Sequence, residues 1–242
     1  MLYAIIASAG KEESLVSLSA IHGIQNTSAF GVSHNGLVAV LEEVNHARVV
    51  VNTENAIQYA KIIEELHQHY DLLPARYGTV METKDAAVCM LEKYRKEFEE
   101  NLQRVENKEE FSLKVFWDYE KGSEEIRKKM AHNATEVRIS PGEKESAAYL
   151  FEKIKAYRFE NALLEYAEQL CEEIRLATEV FSPDIKFKKM PSQSLLVDAV
   201  FLQKKGLKQD FIQLVSWIKE RHEDFRFLLT GPWPPYNFVD IN

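Results

Sequence analysis

Glycine is scarce, nine residues in all, and never clustered. Neither the G-x-G-x-x-G of a dinucleotide turn nor the G-x-x-x-x-G-K of a phosphate loop occurs, so the backbone cradles that hold polyphosphates are missing. Cysteine is scarcer still. Cys89 and Cys171 form no Cys-x-x-Cys. Both fall on apolar helix faces by spacing, which reads as two reduced core thiols in place of a disulfide or a catalytic pair. No run approaches the ~20 apolar residues of a membrane span. The opening MLYAIIASAGKEE has no basic region and too short an apolar stretch for a signal peptide, so the expectation is a cytoplasmic protein. Positive charge is in deficit: 30 Lys and Arg stand against 38 Asp and Glu, a net charge of −8. Binding nucleic acid by displacing counterions needs the opposite balance, so nucleic acid is not an expected partner.

Catalytic patterns are missing as well. There is no G-x-S-x-G nucleophile elbow. His67 and His69 stand two apart, face different directions on a helix and cannot make an i,i+4 metal pair. His22, His34, His46, His132 and His222 have no Cys or carboxylate at ligand spacing. Glu42-Glu43 and Glu64-Glu65 read as solvated surface charge and not as acid–base pairs. The residues name no catalytic group, cofactor or metal site, and the expectation is a non-enzymatic protein.

What is present is a globular composition, 45% apolar over 242 residues, enough for two domains of ~100–130 residues. Residues 2–8 read as a first strand. Residues 30–33 and 37–42 flank His34-Asn35-Gly36, and Asn-Gly between apolar runs signals a hairpin. Residues 12–26 are ambiguous, and 49–51 are either a short strand or the approach to a helix. Thr53 can cap a helix to about 70 with Ile57, Ala60, Ile63 and Leu66 or Tyr70 on its inner face; Thr83 can cap another to about 105. In the second, Ala87, Leu91, Tyr94, Phe98, Leu102 and Val105 form one stripe. Polar residues 107–110 open a second unit. Residues 111–119 alternate as a strand, and 120–135 form a charged insertion with a short helix at 124–130. Ser140-Pro141-Gly142-Glu143 has capping-box spacing. A helix then runs uninterrupted to about 181, its apolar stripe slipping between Ile154 and Leu163. Forty helical residues would span ~60 Å, so part should overhang, as the end of a core helix or as a partner-binding arm. Strands at 185–187, 194–202 and 225–229 and a helix at 210–221 complete a βαββαβ order.

The predicted architecture is therefore α+β in two domains. Residues 1–108 form an N-terminal α+β domain. Residues 109–242 form a C-terminal ferredoxin-like domain with a long helix and a Pro/aromatic tail packing back. In that tail, Gly231-Pro232-Trp233-Pro234-Pro235 should be stiff and polyproline-like. Trp233, Tyr236 and Phe238 ride on it, each able to bury ~150–250 Å². The expected reading is a clamp with Trp233 and Tyr236 largely buried; a ligand for an aromatic-groove domain is the alternative.

Two stretches carry a family resemblance. TGPWPPYNF, at 230–238, resembles the end of the gas vesicle protein F/L family. LLPARYGTV, at 72–80, is similar to that family's Leu-Pro-x-Arg-Phe-Gly-Thr pattern, with Tyr77 where Phe is usual. The similarity extends along the chain from Tyr3-Ala4-Ile5-Ile6 to the tail. It implies an accessory or minor structural protein of gas vesicle assembly, located at the vesicle. Such a protein would bind the small apolar shell protein, with other gas vesicle accessory proteins, and limit its aggregation. The candidate motif and interaction residues are Pro74, Arg76, Tyr77, Gly78 and Thr79, together with Gly231, Pro232, Trp233, Pro234, Pro235, Tyr236 and Phe238. Arg76, the one charge in an apolar motif, reads either as a buried guanidinium locking sheet to helices or as a partner contact. A small-molecule-binding α+β regulator is the rival reading, and an enclosed apolar pocket with convergent polar groups would mark it.

Overall fold

The computed structural model describes residues 1–8, 18, 21–24, 27–44, 52–132, 146–182, 184–188, 192 and 194–240. Contacts divide the chain into two compact units. The first is Met1–Glu110, Leu202–Lys205 and Gly231–Asn242; the second is Phe111–Phe201 and Gly206–Thr230. The tail, expected within a 109–242 domain, is thus grouped with the N-terminal unit.

The first unit holds an antiparallel sheet of β1 (Leu2–Ala7), β2 (Phe30–His34), β3 (Leu37–Leu41) and β4 (Leu72–Pro74), in the order β2-β3-β1-β4. The expected hairpin forms between β2 and β3. Asn35 and Gly36 both have positive φ, 46° and 83°, the backbone a two-residue primed turn requires. Helix α1 (Thr53–His69) packs on this sheet. Its cap is Asn52, one residue before the expected Thr53, with the Asn52 side chain accepting from the Asn55 N–H at 2.8 Å. The buried stripe is Tyr59, Ile62, Ile63 and Leu66. Ile57, expected inside, is 53% exposed. Both stripes obey helical spacing; the one burying Tyr59 prevails because its ring and hydroxyl both find partners.

The predicted 83–105 helix is two: α2 (Lys84–Lys93) and α3 (Arg95–Val105). Thr83 does cap the first, accepting from Ala86 N at 3.0 Å. At Tyr94 the backbone leaves helical geometry, with φ −106° and ψ 21°. The apolar stripe survives this kink, with Ala87, Leu91, Phe98, Leu102 and Val105 all buried. Cys89 is exposed on α2 and Cys171 is half-buried. The expectation of two core thiols therefore fails for Cys89, which lies off the buried stripe. Burial pushes the Cys171 thiol up to about 11, helped by nearby Glu168.

The second sheet contains β5 (Lys108–Trp117), β6 (Asp184–Phe187), β7 (Leu195–Lys204) and β8 (Phe225–Trp233), ordered β6-β7-β5-β8. β5 begins at Lys108, ahead of the expected 111, and β8 continues through Pro232 to Trp233. A proline is tolerated there because β8 is an edge strand. α4 (Tyr119–His132) replaces the short helix expected at 124–130, α5 (Ser146–Thr178) is the long helix, and α6 (Lys208–Glu220) precedes β8. Ile126 of α4, Leu170 and Ile174 of α5, and Phe211, Val215 and Ile218 of α6 share one core with Phe111, Leu113, Val115 and Trp117 of β5. Gly122 lets α4 approach β5, since a Cβ there would stand 2.3 Å from the Trp117 ring. The 140–143 capping box and the 49–51 alternative lie outside the described residues.

Candidate functional site

The first of the two motifs packs on one residue the sequence did not single out, Tyr59. Residues Arg76 to Thr79 form a tight turn. Thr79 donates to the Arg76 carbonyl through both its N–H, at 3.1 Å, and its hydroxyl, at 2.8 Å. Gly78 takes φ +86°, a backbone that side-chain-bearing residues rarely adopt. The turn is fastened to β1 at both ends: Ala75 N donates to Tyr3 O at 2.8 Å and Leu2 N to Thr79 O at 2.9 Å. The strand of this motif is therefore Leu72–Pro74 on the β1 edge of the sheet, away from the hairpin, and Ala75-Arg76-Tyr77 is loop and turn.

Above the turn stands Tyr59. Its hydroxyl is placed to donate to Leu2 O at 3.0 Å or Ala75 O at 3.1 Å. Its ring stacks on Tyr3 at 5.1 Å and meets Tyr77 edge-on at 5.1 Å. Burial pushes the Tyr59 phenol well above its ordinary range, and the neighbouring phenol of Tyr236 adds to this. Tyr3 closes the other side of the stack. Its hydroxyl donates to the Glu42 carboxylate at 2.7 Å and accepts from Ile24 N at 3.0 Å. Glu42, expected as solvated charge, is 1% exposed and also accepts from the Thr27 hydroxyl at 2.8 Å. Burial with a full set of donors is how a carboxylate becomes a structural post in place of a surface charge.

The tail arrives beside this stack. Gly231, inside β8, takes φ +129°, a backbone that favours glycine. Pro234, Pro235 and Phe238 are buried, whereas Trp233 is 38% and Tyr236 42% exposed. The clamp therefore exists, but its buried parts differ from those expected. The reason is polar anchoring downstream. Glu110 accepts from the Asn237 N–H at 2.8 Å and from the Asn237 side-chain amide. Asn101 exchanges two hydrogen bonds with the Asp240 main chain, at 2.8 and 3.0 Å. The Arg104 guanidinium lies 5.5 Å from the Phe238 ring centroid and reaches Asp240 Oδ2 at 3.3 Å. These bonds fix residues 237–240, so Phe238 goes in and Tyr236 stays half outside. Burial, then Glu64 and Glu110, push the Tyr236 phenol up to about 12.

Arg76 is exposed, and its side chain makes no ion pair among the described residues. The reading of Arg76 as a buried lock is thus overturned; a hydrogen-bonded phenol, Tyr59, joins sheet to helix instead. Pro74 and Tyr77 are half-buried, while Gly78 is exposed. The site offers partly exposed aromatics with the exposed Arg76 guanidinium at its turn. Among the described residues no cluster of His, Cys, Asp or Glu is arranged to hold a metal ion, and no helix is long and apolar enough to cross a membrane. A shallow, open concavity on α5 is lined by Glu165, Glu168, Gln169 and Glu172. Tyr59, Glu110 and Asn237 were missed in the sequence. The signal for Tyr59 was its place in an alternative helical stripe; no local signal marked Glu110.

Comparison with known proteins places this geometry. Residues 1–240 match the family described as "Gas vesicle synthesis protein GvpL/GvpF". Gas vesicle protein F of Nostoc sp. (strain PCC 7120 / SAG 25.82 / UTEX 2576) is 22% identical over 233 residues, 92% of each chain. Gas vesicle protein L of Streptomyces sp. (strain CB03234) is 28% identical over 179 residues, 70% of this chain and 62% of that one. The crystal structure of GvpF from Anabaena sp. PCC7120 superposes with a TM-score of 0.76 at 20% identity, covering 100% of this chain and 95% of that one. GvpF from Microcystis aeruginosa gives 0.75 at 16% identity, covering 99% and 98%. At these identities the two structures establish a shared α+β fold.

Proposed function

Because the chain belongs to the gas vesicle GvpL/GvpF family, we propose that it acts in vesicle formation by holding the small apolar shell protein and limiting its aggregation, alongside other accessory proteins. The observation that carries this reading is the half-exposed pair Trp233 and Tyr236 on a tail immobilised by Glu110 and Asn101. Aromatics fixed in advance give up little entropy on binding and offer large apolar area, which is why they dominate interfaces. Arg76 supplies an exposed cation to orient the partner. Nothing in this recognition calls for nucleotide or metal. We read the second unit as a ferredoxin-like scaffold, supported by its strand order β6-β7-β5-β8 and by β5 and β8, its first and last strands, lying side by side.

Apolar contact should dominate, so binding should weaken only modestly with added salt, unlike a charge-steered encounter. The test is co-expression with the shell protein, followed by pull-down and turbidity at two salt concentrations. The expected result is association in both salts and lower turbidity than with a control protein. Trp233→Ala combined with Arg76→Ala should reduce capture while leaving the fold intact. No association in either salt, with turbidity equal to the control, would refute the reading.

A further inference from the structure

Helix α5 carries two apolar stripes that do not line up. Phe159, Leu163, Tyr166, Leu170 and Ile174 pack into the core of the second unit. At 3.6 residues per turn, Leu150, Ile154 and Tyr157 fall on the opposite side of the helix, and they are 59%, 48% and 65% exposed. The stripe of Leu150, Ile154 and Tyr157 is therefore not a continuation of the core face; it is a separate apolar surface.

The charges along that outward side are segregated. Arg158 is exposed beside the stripe and makes no ion pair among the described residues. Lys153, also flanking it, lies 5.7 Å from the Tyr149 ring centroid. Farther along the same side stand Glu165, Glu168 and Glu172, all exposed, lining the open concavity. Glu172 is paired with Arg175 at 2.6 Å; Glu165 and Glu168 have no cation partner among the described residues. One helix face thus runs from apolar and cationic to acidic, which is self-complementary when two copies lie antiparallel.

We propose that this face of α5 pairs with the same face of a second copy of the chain, antiparallel and crossing near Asn161. A crossing there sets Arg158 of one copy beside Glu165 of the other, and Lys153 beside Glu168. Two-fold symmetry makes each contact twice. Leu150, Ile154 and Tyr157 then cover the aliphatic stems of the partner's acidic half. A paired length of about 35 Å sits at the small end of stable interfaces, roughly 1,200 Å² in total, so the dimer should dissociate on dilution.

The experiment is sedimentation equilibrium of the full chain over a wide concentration range. A monomer–dimer equilibrium is expected. Arg158→Glu and Glu165→Arg should each weaken it about tenfold, because each sets like charges together twice. An equimolar mixture of the two variants should recover wild-type affinity, since every mixed contact is again of opposite sign. Ile154→Glu should weaken the dimer at any salt concentration. All these positions are exposed, so far-UV circular dichroism should not change. A chain that stays monomeric at every concentration, or a dimer indifferent to these substitutions, or a mixture that fails to recover, overturns the proposal.

Discussion

Asn237 donates twice to one carboxylate, that of Glu110, through its main chain and through its side chain. Glu110 is 3% exposed, so this pair is an anchor made where water cannot compete. Hydrogen bonds to charged groups contribute about 1.5–3 kcal/mol. Asn237→Ala should therefore cost roughly 2 kcal/mol by urea denaturation. Glu110→Ala should cost more, because it strips both donors at once. A double-mutant cycle between the two should show strong coupling; additive effects would mean the tail is held by its apolar contacts alone.

The burial pattern of the tail reverses the ranking its composition suggests. Phe238 is fully buried and Trp233 is partly exposed. Phe238→Ala should cost about 3–5 kcal/mol, as for a large core aromatic. Trp233→Ala should cost about 1 kcal/mol or less. Denaturant midpoints of the two variants decide this, and a larger loss for Trp233→Ala would contradict the packing described.

Stability should fall with mild acid through His67. Its pKa is held down to about 4, first by burial and then by Lys205, against the opposing pull of Asp71. With the folded value below the unfolded value of about 6.5, the unfolded chain binds the extra proton. The favourable contribution is complete above pH 6.5 and is lost as pH falls towards 4. The ring is only partly buried, so after solvent screening the loss is about 1–2 kcal/mol. His67→Leu should flatten that part of the curve when urea midpoints at pH 7 and pH 5 are compared.

Gly78 is required for its backbone and not for space, since a Cβ there would meet nothing within 4 Å at φ +86°. Gly78→Ala should cost about 1–2 kcal/mol. Gly78→Asn should cost less, because Asn tolerates the left-handed region. Equal losses for both would point to a steric cause. Thermal unfolding of the two variants separates the possibilities.

The sequence determined by itself what local physics controls. Asn35-Gly36 made the hairpin, Thr83 capped α2, and the Ala87-to-Val105 stripe faced the core even though the helix bends at Tyr94. The strand–helix order that predicts a β5–β8 sheet was also legible, because alternation and helical spacing are short-range signals. The two motifs marked the candidate site through their prolines and glycines, which constrain backbone wherever they stand. What only the tertiary structure decided is which polar groups go inside. Glu42 and Glu110 look like any surface acid in sequence. They are buried because donors from Tyr3, Thr27 and Asn237, up to 127 positions away, converge on them. Arg76 shows the converse: its apolar neighbours in sequence suggested burial, and the turn at Gly78 points it outward. Burial of a charge depends on partners brought together by the fold, and such partners have no fixed spacing for a sequence to display.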